Sequence, residues 1–253
     1  MLERGDAFVK TGPESYLDMF EAEAEGLRAL GKARELRVPA VLDCGIEDGQ
    51  AFIAIERLSL GRANTAHERL FGEQLAALHR HTAPQFGWHR DNTIGMTPQH
   101  NEWRDDWVGF FSDQRLGFQL ELAARNGYGG ELQSLGRRLC DELSGLFDGY
   151  EPVASLLHGD LWGGNWGVAD GVPVIFDPAV YYGDRESDIA MTMLFGGFGR
   201  AFYDAYQSSW AMAAGHERRL KLYQLYHVIN HLNLFGRSYL AQSLSLIKQL
   251  VGN

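Results

Sequence analysis

The stretch Leu156-Leu157-His158-Gly159-Asp160-Leu161-Trp162-Gly163-Gly164-Asn165-Trp166, followed by Val174-Ile175-Phe176-Asp177-Pro178-Ala179, constrains this chain more than any other. It reads as a short apolar strand, a turn bearing an acid, an amide five residues on, a second strand and a second acid. Short strands are expected over 154–157 and 172–176. If these two form a hairpin, Asn165 and Asp177 leave it on the same side. Gly163 and Gly164 let the intervening loop turn tightly. Phosphoryl transfer suits such a set, because it needs an acceptor hydroxyl held in line with a phosphate and metal ions on the phosphate oxygens. Asp160 is placed to accept the hydroxyl proton. Asn165 and Asp177 are hard oxygen donors of the kind magnesium takes. An ordinary Asx-rich turn would carry the same residues, so the weight lies on what precedes them.

Upstream, Ala7-Phe8-Val9 ending on Lys10 predicts a short strand, broken by Thr11-Gly12-Pro13. A helix is expected over 15–31, with Phe20, Leu27 and Leu30 on one stripe of a 3.6-residue period. Glu23 falls on that stripe. A carboxylate facing inward alone is costly, and Lys10 is its nearest upstream partner. Strands over 38–42 and 51–55 are joined by the hairpin signal Asp48-Gly49, and Glu56-Arg57-Leu58 leaves the second. An amphipathic helix over 66–80 turns Leu70, Phe71, Leu75 and Leu78 inward. Residues 84–107, rich in Trp, His and Asn, read as irregular, either a substrate wall or a packed loop. Helices dominate thereafter: one through Leu132, Leu135, Leu139, Leu143 and Leu146, and others over 186–195, 200–213 and 217–250.

The 253 residues suit one large domain or two tightly joined lobes. The formal charge of -10 argues against nucleic acid or an anionic membrane as partner. No apolar run approaches the length of a membrane span. The start of the chain has no signal-peptide core, and the two cysteines, Cys44 and Cys140, suit a reducing compartment. A cytoplasmic location is the expectation.

His-Gly-Asp, an Asn five residues after the Asp and a further Asp twelve after that resemble the catalytic loop of kinases in its small-molecule form. By that resemblance Lys10 grips the ATP phosphates, Glu23 holds Lys10, and Glu56 to Leu58 form the hinge whose backbone binds adenine. The finer resemblance is to the fructosamine (ketosamine) kinases. It rests on residues 158–165, Phe8-Val9-Lys10, Phe20-Glu21-Ala22-Glu23, Asp106-Trp107, Asp177-Pro178-Ala179, the run 182–190 and Phe195-Gly196-Gly197-Phe198. It implies an α+β, protein-kinase-like two-lobe fold, with a small antiparallel-sheet N-terminal lobe (1–58) and a mostly helical C-terminal lobe (59–253). It also implies ATP and Mg2+, and phosphorylation of a free or protein-bound ketosamine at the sugar's 3-hydroxyl. Trp162 would stack on the sugar or its amine-bearing chain, and Asp188 would hold the catalytic loop's backbone. His158 is expected to shape that loop through hydrogen bonds and not to act as a base.

One departure stands out. Lys10 lies nine residues from the start, so the glycine-rich phosphate loop that the family carries before its lysine strand is expected to be missing, leaving a truncated sheet. An exposed sheet edge would favour association, so monomer and dimer both stay open. Two other functions also stay open: a kinase for another small alcohol, such as an aminoglycoside or choline, and a pseudokinase-like binding module.

Overall fold

A computed structural model describes residues 7–252. Phe8-Val9-Lys10 belongs to a strand, but one running from Ala7 to Pro13 (β1). Every residue of it pairs antiparallel with β3 (Gln50–Glu56), with Lys10 opposite Ile53. The expected break at Thr11 does not occur; Pro13 is the last strand residue, where a missing N–H is tolerated. β2 (Val41–Glu47) flanks β3 on its other side, giving the order β1-β3-β2. This strand lies later than the 38–42 expected, because its register is set from the turn. Asp48 and Gly49 take φ of 51° and 74°, the paired left-handed geometry of a tight hairpin.

Helix α1 (Leu17–Ala33) starts after a 3-10 turn at Glu14–Tyr16 and ends where Arg34 turns left-handed. Its apolar stripe meets the sheet: Phe20, Ala24 and Leu27 pack on Ala51, Ile53 and Ile55 as a small core of their own.

After β3 the chain joins a second, larger core. β4 (Leu60–Gly61) pairs with β8 (Trp166–Ala169). Helix α2 (Thr65–Leu78) is capped by Asn64, whose Oδ1 accepts the N–H groups of Ala66 and His67. Part of the segment expected to be irregular is a hairpin of β5 (Asn92–Ile94) and β6 (Thr97–Gln99). Helices α3 (Trp107–Phe111), α4 (Phe118–Arg125) and α5 (Glu131–Asp141) follow. The helix expected through Leu146 stops at Asp141, and Leu143 and Leu146 reach the core from a 3-10 turn instead.

The strand pairing around the key loop differs from expectation. β7 (Ser155–Leu157) pairs with β10 (Tyr181–Gly183), not with the strand near 172. That strand, β9 (Val172–Ile175), pairs with β8 across the turn Asp170-Gly171. Asn165 and Asp177 still leave one hairpin on the same side, but it is β8–β9. α6 (Glu186–Leu194), α7 (Arg200–Ser209), α8 (His216–Phe235) and α9 (Leu240–Val251) complete the chain. The single helix expected over 217–250 is two, broken at Gly236 with φ 89°. Among the described residues no helix is long and apolar enough to cross a membrane.

The larger core is closed by α2 lying directly on α7, and the crossing point is Gly72. A Cβ there would stand 2.3 Å from the carbonyl oxygen of Phe202 and 3.0 Å from the amide nitrogen of Tyr206. Backbone cannot yield as a side-chain tip does. Gly72→Ala is therefore expected to destabilise the protein by roughly 1–3 kcal/mol, despite the better helix propensity of alanine; chemical denaturation measures it.

Candidate active site

The loop after β7 is held from below. Asp188, buried in the first turn of α6, accepts the His158 N–H with Oδ2 (2.8 Å) and the Gly159 N–H with Oδ1 (2.9 Å). His79 Nε2 lies 3.2 Å from Oδ2, and its Nδ1 meets the Tyr206 hydroxyl at 2.8 Å. Burial alone would raise the pKa of Asp188. The hydrogen bond and charge of His79, with those of the loop, hold it below the usual carboxylate value. Gly159 is required by conformation and by space: its φ is 84°, and a Cβ would fall 2.0 Å from the Ala179 carbonyl oxygen.

His158 is spent on this scaffold. Its Nδ1 accepts the Asp160 N–H (3.2 Å), and its Nε2–H donates to the Phe176 carbonyl (3.0 Å). That pair of partners sets the tautomer, and burial pushes the imidazole pKa down, so the ring is neutral. Neither ring nitrogen is left for a substrate proton.

Asp160 then faces Asn165 and Asp177. Asn165 Nδ2 donates to the Asp160 carbonyl (2.9 Å) and reaches the Asp177 carbonyl (3.4 Å) and Asp160 Oδ2 (3.5 Å). Burial, followed by the charges of Asp188 and Asp177, raises the Asp160 pKa to about 7, against the lowering contact with Asn165. Asp177 takes φ 56°, an uncommon backbone conformation for a residue with a side chain.

β1 supplies the cation. Lys10 Nζ donates to Glu23 Oε1 (2.8 Å) and to Asp177 Oδ1 (2.7 Å). The Glu23 partner is the one the helical stripe anticipated; Asp177, 167 positions away, was not legible. Burial alone would lower the lysine pKa, but the Glu23 and Asp177 carboxylates outweigh it and raise it, so the ammonium form dominates. Burial pushes Glu23 up, with Lys10 opposing.

Lys10, Glu23, Asp160, Trp162, Asn165 and Asp177 all line one cleft of about 400 Å³. Glu56 and Leu58 stand outside it. The Glu56 carboxylate is already bonded to Arg37 Nη2 (2.7 Å) and the Ala40 N–H (3.1 Å), and its own N–H goes to the Ala40 carbonyl (2.8 Å). The Leu58 peptide groups have no such partner among the described residues. Trp162 is exposed to solvent, its indole lying over Gly164, where a Cβ would come within 2.2 Å of the ring.

Donor chemistry decides whether a metal suits this cleft. Every hydrogen bond of the Asn165 side chain uses Nδ2, which leaves Oδ1 available. Of the Asp177 carboxylate oxygens, Oδ1 alone has a hydrogen-bond partner among the described residues, Lys10. Among the described residues no three His, Cys, Asp or Glu side chains are grouped to hold a metal by themselves. A few hard oxygens short of a full shell fit Mg2+ completed by phosphate and water oxygens, and fit zinc poorly.

Several supporting residues were not singled out from the sequence. His79 was one. Another group is the buried amides Asn92 and Gln99, which bond the carbonyls of Val180 (2.8 Å) and Ala179 (3.1 Å) just beyond Asp177. The signal available was Gly95-Met96 set between the β-branched residues Thr93-Ile94 and Thr97, a two-residue turn between short strands.

A small sheet with its lysine strand and glutamate helix, set over a helical body bearing the acid-amide-acid loop, defines a phosphotransferase of kinase-like fold. The sequence profile of fructosamine kinases matches residues 2–253, and the chain belongs to that family. It is 43% identical over 244 residues to the probable ketoamine kinase of Synechocystis sp., covering 96% of this chain and 82% of that one. It is 42% identical over 252 residues to the chloroplastic protein-ribulosamine 3-kinase of Arabidopsis thaliana, covering 97% and 76%. A crystal structure assigned as fructosamine-3-kinase from Thermobifida fusca superposes with a TM-score of 0.87 at 32% identity, covering 98% and 86%. An ADP-bound aminoglycoside phosphotransferase shares the fold, at a TM-score of 0.64 and 15% identity, covering 98% and 87%.

The Asp160 pKa carries a stability consequence. Its folded value of about 7 lies above the ordinary 3.8, so the folded state binds this proton more tightly than the unfolded state. Ionisation therefore costs the fold nothing below about pH 4, increasingly more between, and the full amount above pH 7. Without nucleotide or metal, Asp160→Asn is expected to raise Tm by roughly 3–8 °C at pH 8. The gain should fade toward pH 4, a trend that calorimetry across the pH range checks.

Proposed function

We propose that this protein transfers the γ-phosphoryl group of ATP to a sugar hydroxyl, O3, of a ketosamine. The observation that carries the reading is Asp160, half-buried beside Asn165 and Asp177 with its pKa near 7. A carboxylate poised there accepts a proton from an alcohol near neutral pH more readily than an ordinary aspartate. Membership of the fructosamine kinase family and the relatives' names supply the substrate class.

In this reading Asp160 orients the attacking hydroxyl and takes its proton. Lys10, steadied by Glu23, donates to the α- and β-phosphates. Asn165 Oδ1 and the Asp177 carboxylate would hold Mg2+, which neutralises charge on the phosphate oxygens. Leu58 receives the adenine edge through its peptide groups, and the Glu56 side chain braces that hinge through Arg37. Trp162 lies against an apolar C–H face of the sugar. His158 and Asp188 shape the loop and stay out of the proton path. The two free cysteines, Cys44 and Cys140, support a cytoplasmic setting.

The test is ATP- and magnesium-dependent phosphorylation of ribulosyl-lysine, fructosyl-lysine and an aminoglycoside, with Asp160→Asn alongside. Turnover of a ketosamine, reduced roughly 10²–10⁴-fold in the variant, is expected. Preference for the aminoglycoside, or a variant as active as the parent, would overturn the proposal.

A further inference from the structure

The β5–β6 hairpin forms one wall of the cleft, contributing Asn92, Thr93, Gly95 and Met96. Its root is fastened by buried amides. Asn92 Nδ2 donates to the Val180 carbonyl (2.8 Å) and Gln99 Nε2 to the Ala179 carbonyl (3.1 Å). Asn92 Oδ1 accepts from both Gln99 (2.9 Å) and Asn101 (2.9 Å), and the Tyr226 hydroxyl donates to Gln99 Oε1 (2.9 Å). Breaking any of these would strand a buried polar group. The tip is seated as well: Gly95, at φ 58°, lies so near α8 that a Cβ would be 3.2 Å from Leu234 Cδ1. The wall is rigid and tied to the strand that follows Asp177.

What it presents is apolar. Of the large apolar side chains lining the cleft, only Met96 (53% exposed) and Trp162 (41%) are left open to solvent among the described residues. Because Met96 lines the same cleft as Trp162 and is open to solvent, its side chain is available to cover an apolar group that enters there. In the function proposed above, Lys10, Asn165 and Asp177 take the phosphates and metal, and the solvent-open residues of the same cleft, Trp162 and Met96, are left to its mouth and the acceptor. With the sugar hydroxyl at Asp160 and the sugar face on Trp162, the part of a ketosamine that leaves the mouth is its amine-borne arm.

We infer that Met96 is a specificity-determining residue that covers the alkyl arm on the acceptor's amine, the arm through which one ketosamine differs from another. The inference rests on the function proposed above and goes beyond it by naming the group that chooses among ketosamines. A flexible thioether side chain adapts to arms of different shape, while the rigid hairpin keeps it at a fixed distance from Asp160. Each methylene covered is worth roughly fourfold in kcat/KM.

The experiment measures kcat/KM for two fructose adducts, of methylamine and of hexylamine, with the parent protein, Met96→Ala and Met96→Leu. The hexylamine-to-methylamine ratio is expected to fall about 5–15-fold in Met96→Ala, carried by KM. It should return to within about twofold of the parent in Met96→Leu, which restores apolar cover, and the KM for ATP should stay unchanged. An unchanged ratio in Met96→Ala, or a loss shared by both adducts, would overturn the inference and leave the proposed function standing. A parent protein silent on both adducts would remove the two together.

Discussion

Asp188 accepts two consecutive backbone N–H groups, those of His158 and Gly159, with its two oxygens. This pair of bonds sets the direction in which the chain leaves β7, and therefore where Asp160 points. The pair needs a buried carboxylate that stays ionised. Burial works against that, and His79 reverses it from the far side. Gly159 completes the arrangement, because only a residue without Cβ can pass the Ala179 carbonyl at that spot. Asp160 thus owes its position to buried groups behind the loop, Asp188 and His79, and not to its own neighbours in the cleft.

The cleft gathers like charges on purpose. Asp160, Asp177 and Asp188 lie close enough for the other two to raise the Asp160 pKa, and Lys10 is shared between Glu23 and Asp177. An excess of carboxylate over ammonium is unfavourable in a cleft without a cation, and the Mg2+ proposed for Asn165 and Asp177 would offset it. The left-handed backbone at Asp177 belongs to the same account. Strain and charge are tolerated because the strand beyond Asp177 is fastened by the buried amides Asn92 and Gln99.

Much of the site was legible because its logic is local in sequence. The loop residues Asp160, Trp162 and Asn165 follow one another within six positions, and Glu23 betrayed itself as a carboxylate on an apolar helical stripe. The hairpin partner of β9 was misread because two short apolar strands pair equally well on paper; β8, with glycine and tryptophan at its start, carries a weaker strand signal than β7. That the Glu56 side chain would be engaged by Arg37 was not legible, because the two are brought together only by the folded sheet.

The sequence by itself determined the class of chemistry: an acid, an amide and a second acid in kinase order, with a lysine strand and a glutamate helix ahead of them. Residue type and spacing along one chain are enough for that. Only the tertiary structure decided that Lys10 reaches Asp177, that burial and neighbouring charge raise Asp160 toward neutrality, and that a hairpin in an apparently irregular stretch holds Met96 across the cleft's rim. Each of these depends on groups far apart in the chain meeting in a place that excludes water. Distance and dielectric in that place are properties of the packed molecule and are not written in any local run of residues.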